Sequence, residues 1–129
     1  MYRLFQPGSG DDPARPRLAP DVIDPTRAGR ALVCTACEQR ITTPAAAIEI
    51  AGRHDHECVN PHGWRWRIGC FATAEGLVPL GEAENEWSWF PGFTWQIQNC
   101  ARCGQLMGWL YRSGDQTFFG LILAHLREG

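Results

Sequence analysis

The sequence predicts an all-β domain stapled by a single structural metal ion. Three observations predict it. Apolar residues alternate at period two through the aromatic-rich segments, as they do in half-buried strands. Two Cys-x-x-Cys pairs, Cys34-Thr35-Ala36-Cys37 and Cys100-Ala101-Arg102-Cys103, stand 62 residues apart. No run keeps a helical period, except ambiguously 121–126.

The elements follow in chain order. Residues 1–30 hold five of the nine prolines with clustered Asp, Arg and Gly, and no Trp or Cys. Such a segment buries too little apolar surface to offset its ordering entropy. It is expected to be a disordered or loosely docked arm, with Phe5 and Leu18 as the residues available to pin it. The folded part is then expected over 31–129. Residues 46–50 form a short strand candidate. Asn60-Pro61-His62-Gly63 reads as a tight turn into Trp64-Arg65-Trp66-Arg67-Ile68-Gly69-Cys70, which alternates apolar and polar. Phe93-Thr94-Trp95-Gln96-Ile97-Gln98 alternates likewise. Residues 107–111 and 117–122 complete the strand candidates, with Gly120 a bulge position.

Two intervening residues are the spacing that aims both sulfurs of a knuckle at one ion. Cys34, Cys37, Cys100 and Cys103 therefore read as the ligands of one zinc ion per chain. Four thiolates leave zinc no open position, so the role is structural. A thioredoxin-like redox pair is the alternative for a lone Cys-x-x-Cys, and the second pair favours zinc. A domain of this size has a marginal core, which gives a metal clip an evident purpose.

Charge and hydropathy exclude several classes. Net charge is −2, without the basic stripe that nucleic-acid binding requires. No apolar run approaches the length of a membrane span. The first residues lack the apolar region of a secretory signal. With reduced thiols on zinc, the cytoplasm is the expected compartment. All twelve basic residues are Arg, which fits a GC-rich bacterial genome.

Four of the six Trp, at 87, 89, 95 and 109, fall within 23 residues. Trp64 and Trp66 are read as core, because large aromatics dominate burial in small domains. Trp89, Trp95 and Trp109 are read as the walls of an apolar box around a Pro-Gly turn and a metal-anchored strand. His54, His56 and His62 are expected in solvated loops, His62 close enough to touch a ligand. Cys58 and Cys70 are the alternative nucleophiles or redox pair, but Cys70 shares a strand face with Trp66 and Ile68, and buried thiols are inert. A cage for a methylated ammonium would need a carboxylate, for which Glu86 is the obvious candidate.

These motifs resemble the thalidomide-binding (CULT) domain of cereblon and its small stand-alone bacterial relatives. The resemblance rests on Cys34-x-x-Cys37, Asn60-Pro61-His62-Gly63, Ser88-Trp89-Phe90-Pro91-Gly92-Phe93-x-Trp95, Cys100-x-x-Cys103, Gly108-Trp109 and Phe118-Phe119-Gly120-Leu121. It covers about 31–129 in order and spacing. It implies a β-tent, in which two antiparallel sheets meet at a steep angle near a structural zinc. It also implies a non-catalytic pocket for a cyclic imide, either a free glutarimide- or uracil-like ring or one carried on a polypeptide end. Trp89, Trp95 and Trp109 would be the walls, Tyr111 the base and Asn60 the rim, with Pro61, His62, Trp87 and Ser88 completing the ligand-binding set. Trp87 stands where vertebrate cereblon has His, and Phe93 where it has Tyr. The domains through which cereblon joins a ubiquitin ligase have no counterpart in this sequence, so recruitment of that ligase is not expected. The zinc-containing methionine sulfoxide reductases share a related fold, but no equivalent of their catalytic-cysteine motif is found.

Such a ring presents acceptor, donor, acceptor along its imide edge. Backbone groups of Trp87 and Trp89 are expected to supply much of the complementary pattern, while ring methylenes lie against the indoles.

Overall fold

The computed structural model describes residues 17–18, 30–60 and 62–129. The expectation of a disordered arm therefore falls almost wholly outside the described residues, as does Pro61. Within 1–30, Arg17–Leu18 (β1) pairs antiparallel with Ile48–Glu49 (β4), matching Leu18 to Ile48.

Two antiparallel sheets make up the body. The larger has six strands: β5 (Asp55–Val59), β6 (Arg65–Phe71), β7 (Leu77–Glu84), β8 (Thr94–Cys100), β9 (Leu106–Ser113) and β10 (Gln116–Ile122). Their spatial order is β5-β6-β10-β9-β8-β7. The smaller has three, in the order β11-β2-β3: β2 (Leu32–Cys34), β3 (Arg40–Thr42) and β11 (Leu126–Glu128). Cys34 ends a strand of the small sheet and Cys100 ends a strand of the large one, so the cysteine cluster ties the two sheets together.

Strand β6 shows how pattern becomes packing. Alternation turns Ile68 and Cys70 into the core, both fully buried, and leaves Arg65 and Arg67 outside. Arg67 pairs there with Asp55 of the neighbouring β5. Burial acts to raise the Asp55 carboxyl, but the Arg67 and Arg53 guanidiniums outweigh it and hold the group below its ordinary value.

Several local expectations need correction. Trp64 is not core: it leaves the turn just ahead of β6 and is 65% exposed. Gly120 is not a bulge, because β10 stays in register through Phe119↔Leu110, Gly120↔Trp109 and Leu121↔Gly108. Glycine is required there by close packing, since a Cβ would stand 2.9 Å from both Ile68 Cδ1 and Tyr111 Cε2. Residues 121–126 form no α-helix; β10 ends, a 3-10 turn (Leu123–His125) follows, and β11 begins. In the stretch 46–50 only Ile48–Glu49 is strand, because Pro44 opens a 3-10 turn (Pro44–Ala46) just before it. His56 is not a solvated loop residue. It is buried on β5, with Nε2 3.0 Å from the Ile50 carbonyl and 3.1 Å from that of Arg53. Burial holds its imidazole below the ordinary histidine range.

The interior has two parts. One cluster, including Ile68, Cys70, Phe90, Phe93, Trp109, Tyr111 and Phe118, fills the sheet around the tryptophans. The other, including Ile41, Phe71, Met107 and Leu121, packs around Cys34 and Cys100.

Candidate functional site: a four-cysteine cluster and a tryptophan-lined cavity

Both knuckles use one backbone design. Cys34 N–H donates to the Gln39 carbonyl and Glu38 N–H to that of Cys34, at 2.9 and 2.8 Å. Cys100 N–H donates to Gln105 and Gly104 N–H to Cys100, at 2.8 and 2.9 Å. The fifth residue of each turn has positive φ, +67° at Glu38 and +82° at Gly104. Glycine adopts that conformation freely and Glu38 at a cost. The result brings the four sulfurs within 4.8 Å of one another.

The separations fit a metal. A tetrahedral ion with sulfur ligands at about 2.3 Å has S–S edges of about 3.8 Å. Cys34 Sγ lies 3.7 Å from Cys103 Sγ, and Cys37 Sγ lies 3.5 Å from Cys100 Sγ. Outer donors favour thiolates: Gln105 Nε2 reaches Cys34 Sγ at 3.3 Å, and Arg102 N–H reaches Cys100 Sγ at 3.4 Å. Burial alone would raise the Cys100 thiol, but backbone N–H groups of Cys103 and Arg102 outweigh it and bring the group to about 7. At Cys37 burial wins, and the thiol is pushed up to about 12. A dication is what allows such a set to ionise together. The cluster can hold one metal ion.

On the same large sheet a cavity of about 430 Å³ opens between β8, β9 and two loops. Register explains its walls. Trp95 faces Tyr111 across the β8–β9 ladder and Ile97 faces Trp109, so two cross-strand pairs of one face line the space. Trp89 comes from the loop after β7. Its ring meets Trp109 edge-on, centroids 5.0 Å apart at 80°. Both outer indoles are fixed by their own N–H groups: Trp89 Nε1 donates to the Val59 carbonyl at 3.1 Å, and Trp95 Nε1 to that of Glu86 at 2.7 Å. Trp89 and Trp109 are nearly buried, Tyr111 is 1% exposed, and Trp87 is 52% exposed. The cavity therefore has a deep end at Tyr111 and a mouth at Trp87.

The loops are held as firmly as the walls. The Asn60 side-chain oxygen accepts from His62 N–H and Trp64 N–H, both at 2.9 Å, closing the expected turn at the rim. Trp87 has a φ of +62°, an outlier for a bulky residue. Ser88 does not line the cavity. Its hydroxyl accepts from Phe90 N–H at 3.2 Å and lies 3.0 Å from the Phe90 carbonyl, bracing the loop that carries Trp89.

Of the residues singled out from sequence, Asn60, His62, Trp87, Trp89, Trp95, Trp109 and Tyr111 border the cavity. Trp66, Ile97 and Leu106 border it too and were missed. Trp66, read as scaffold, stands edge-on to Trp109 at 6.1 Å. The i, i+2 relation of Ile97 to Trp95 was the signal that would have found Ile97.

Among the described residues no carboxylate lines the cavity, and Glu86 touches it through the bond its carbonyl accepts from Trp95 Nε1. Cys58 and Cys70 also stay outside it, buried at 1% and 0% exposure. Burial drives both thiols well above their ordinary value, so neither is a ready nucleophile. Replacing both together, Cys58→Ser with Cys70→Ala, is expected to leave the cavity and its ligand binding intact and to lower the melting temperature by a few degrees. Loss of a thiol-dependent reduction of methionine sulfoxide in that double variant would instead reveal a reductase.

A scan of protein-family models finds none that matches the chain. Curated relatives do match. The chain is 38% identical over 74 residues to protein cereblon of Xenopus tropicalis, covering 54% of this chain and 17% of that protein. It is 38% identical over 73 residues to protein cereblon of Gallus gallus, covering 53% and 16%. Protein cereblon of Drosophila grimshawi is 41% identical over 54 residues, covering 38% and 8%. The matches thus span about a sixth or less of the relatives' length. Among the described residues, no helix is long and apolar enough to cross a membrane. With these matches and an all-β fold that gathers four cysteines, the chain carries a cereblon-like (CULT) domain.

Proposed function

We propose that this chain is a non-catalytic binding domain. It captures a cyclic imide, free or at the end of a polypeptide, in the cavity walled by Trp89, Trp95 and Trp109. A single zinc ion on Cys34, Cys37, Cys100 and Cys103 holds the scaffold. The observation that carries the reading is the cavity itself. Two of its indoles, Trp89 and Trp95, are locked by hydrogen bonds before any ligand arrives, so binding spends little on ordering them.

Polar complementarity is assigned to the backbone around Trp87 and Trp89, with Asn60 and His62 at the rim. The positive φ of Trp87 supports this, because strain of that kind persists where the surrounding structure over-determines it, and clusters at ligand clamps. An imide edge left unpaired in such a site would cost about 1–3 kcal/mol per group. The edge sets selectivity and the apolar walls set affinity. Reduced thiols at the metal fit a reducing, cytoplasmic setting. No ubiquitin-ligase, nucleic-acid or membrane partner is part of the proposal.

The absence of a carboxylate among the described residues that line the cavity disfavours a methylated-ammonium cage, and the two readings separate in one titration. Glutarimide should change tryptophan emission saturably, whereas tetramethylammonium should not, and Glu86→Gln should alter neither result. Saturable binding of the cation without binding of glutarimide would replace the imide reading with the cation cage.

A further inference from the structure

A half-buried side chain outside the cavity touches two parts of its wall. His125 closes the 3-10 turn that follows β10. Its Nδ1 lies 2.7 Å from the carbonyl of Leu106, which borders the cavity. Its ring stands edge-on to Trp66, which borders the cavity too, with centroids 6.2 Å apart at 78°. Its backbone carbonyl accepts from Thr35 N–H, inside the first knuckle, at 3.0 Å. One residue thus joins a metal-binding turn to the cavity wall. The end of a ladder explains the arrangement. Strands β9 and β10 pair in register as far as Gly108↔Leu121, so the Leu106 carbonyl lies past the end of that pairing. His125, in the turn that carries the chain away from β10, meets this carbonyl with its ring. A carbonyl can only accept, so Nδ1 carries the proton and donates. The neighbouring Gln105 is tied to both knuckles: its carbonyl accepts from Cys100 N–H at 2.8 Å, and its Nε2 reaches Cys34 Sγ at 3.3 Å.

We propose that His125 is a positioning residue of the cavity: its Nδ1–H holds the Leu106 carbonyl and so carries the fixed geometry of the first knuckle to the wall that Leu106 forms. His125 does not border the cavity and acts through Leu106. The effect on binding rests on the imide reading of the cavity, whereas the effect on the wall does not. A part-buried backbone carbonyl that loses its donor is costly to leave unpaired. The end of the strand then shifts toward another partner and takes Leu106 with it. A wall that was preformed becomes one that binding has to order.

The bond is read first on the native protein. Proton–nitrogen correlation spectra of the imidazole should show Nδ1 protonated. A bare Nδ1, with the proton on Nε2, overturns the proposal even if no variant folds. Two substitutions then separate the bond from the ring. His125→Asn keeps a donor at the place of Nδ1, whereas His125→Phe keeps a ring against Trp66 and loses the donor. Calorimetry with glutarimide should find the Asn variant within about threefold of the native chain and the Phe variant about tenfold weaker, the loss that one net hydrogen bond explains. Equal affinity in all three chains, even with lowered melting temperatures, means that His125 only stabilises the fold and overturns the proposal while the imide reading stands. Failure of glutarimide to bind the native chain removes the imide reading, and the Leu106 methyl signals of the ligand-free protein then decide. Signals displaced in the Phe variant and native-like in the Asn variant support the positioning role; signals unmoved in both overturn it.

Discussion

Cys34→Ser is expected to unfold the domain. Cys34 is fully buried, ends a strand of the small sheet and shares its cluster with Cys100 at the end of β8. Losing it opens the metal site and parts the two sheets together. Structural zinc contributes about 10–16 kcal/mol in small metal-dependent domains, comparable to the whole 5–15 kcal/mol stability of an ordinary domain. Elemental analysis is expected to find one zinc ion per native chain, and its loss in the variant should accompany loss of the cooperative melting transition followed by circular dichroism. Chelation of the native protein should give the same result. A metal-free protein that still melts cooperatively would show that packing alone holds the sheets.

The second large effect is expected at Trp95→Ala. Trp95 packs against the core without being fully enclosed in it, unlike Trp89 or Trp109. Its removal should therefore cost the cavity a wall while leaving the fold in place. Truncating an aromatic anchor in a desolvated site costs about 2–4 kcal/mol, so glutarimide affinity should fall by roughly 30-fold or more. Trp64→Ala supplies the contrast. That indole is 65% exposed and does not border the cavity, so affinity for a free ring should stay within about twofold. A titration in which both variants bind like the native chain would remove the tryptophan box from the account.

Much of this site was readable before any coordinates. Metal-ligand spacing is a local property, and two knuckles announce one ion wherever the chain between them runs. Period-two alternation marked the strand of Trp95, while the second knuckle pointed to Trp109 and the resemblance to Tyr111; the three meet because β8 and β9 are regular where they sit. It failed where regularity breaks. A register shift between Gln98 and Asn99 disturbs the phase at the start of β9, so Leu106 borders the cavity while Met107 packs toward Cys34 and Cys100. Trp64 fell on the apparent core face of its segment, but it belongs to the turn, whose backbone does not carry the strand's alternation. Strand β7 was invisible for another reason. It is an edge strand, exposed along most of its length, and so tolerates Pro79 and Gly81 inside it. An edge that packs little leaves no apolar period to detect.

The most direct measurement compares glutarimide with N-methylglutarimide on the native chain by calorimetry. The two rings offer the same methylenes to the indoles, but methylation deletes the one donor of the imide edge and puts bulk in its place. If backbone groups at Trp87 and Trp89 read that edge, glutarimide binds with one-to-one stoichiometry and the N-methyl compound at least about 30-fold more weakly, the loss expected when a buried hydrogen bond is replaced by a clash. Equal affinity for the two rings would mean that the cavity takes them by apolar contact alone, and the proposed recognition of a cyclic imide would be wrong.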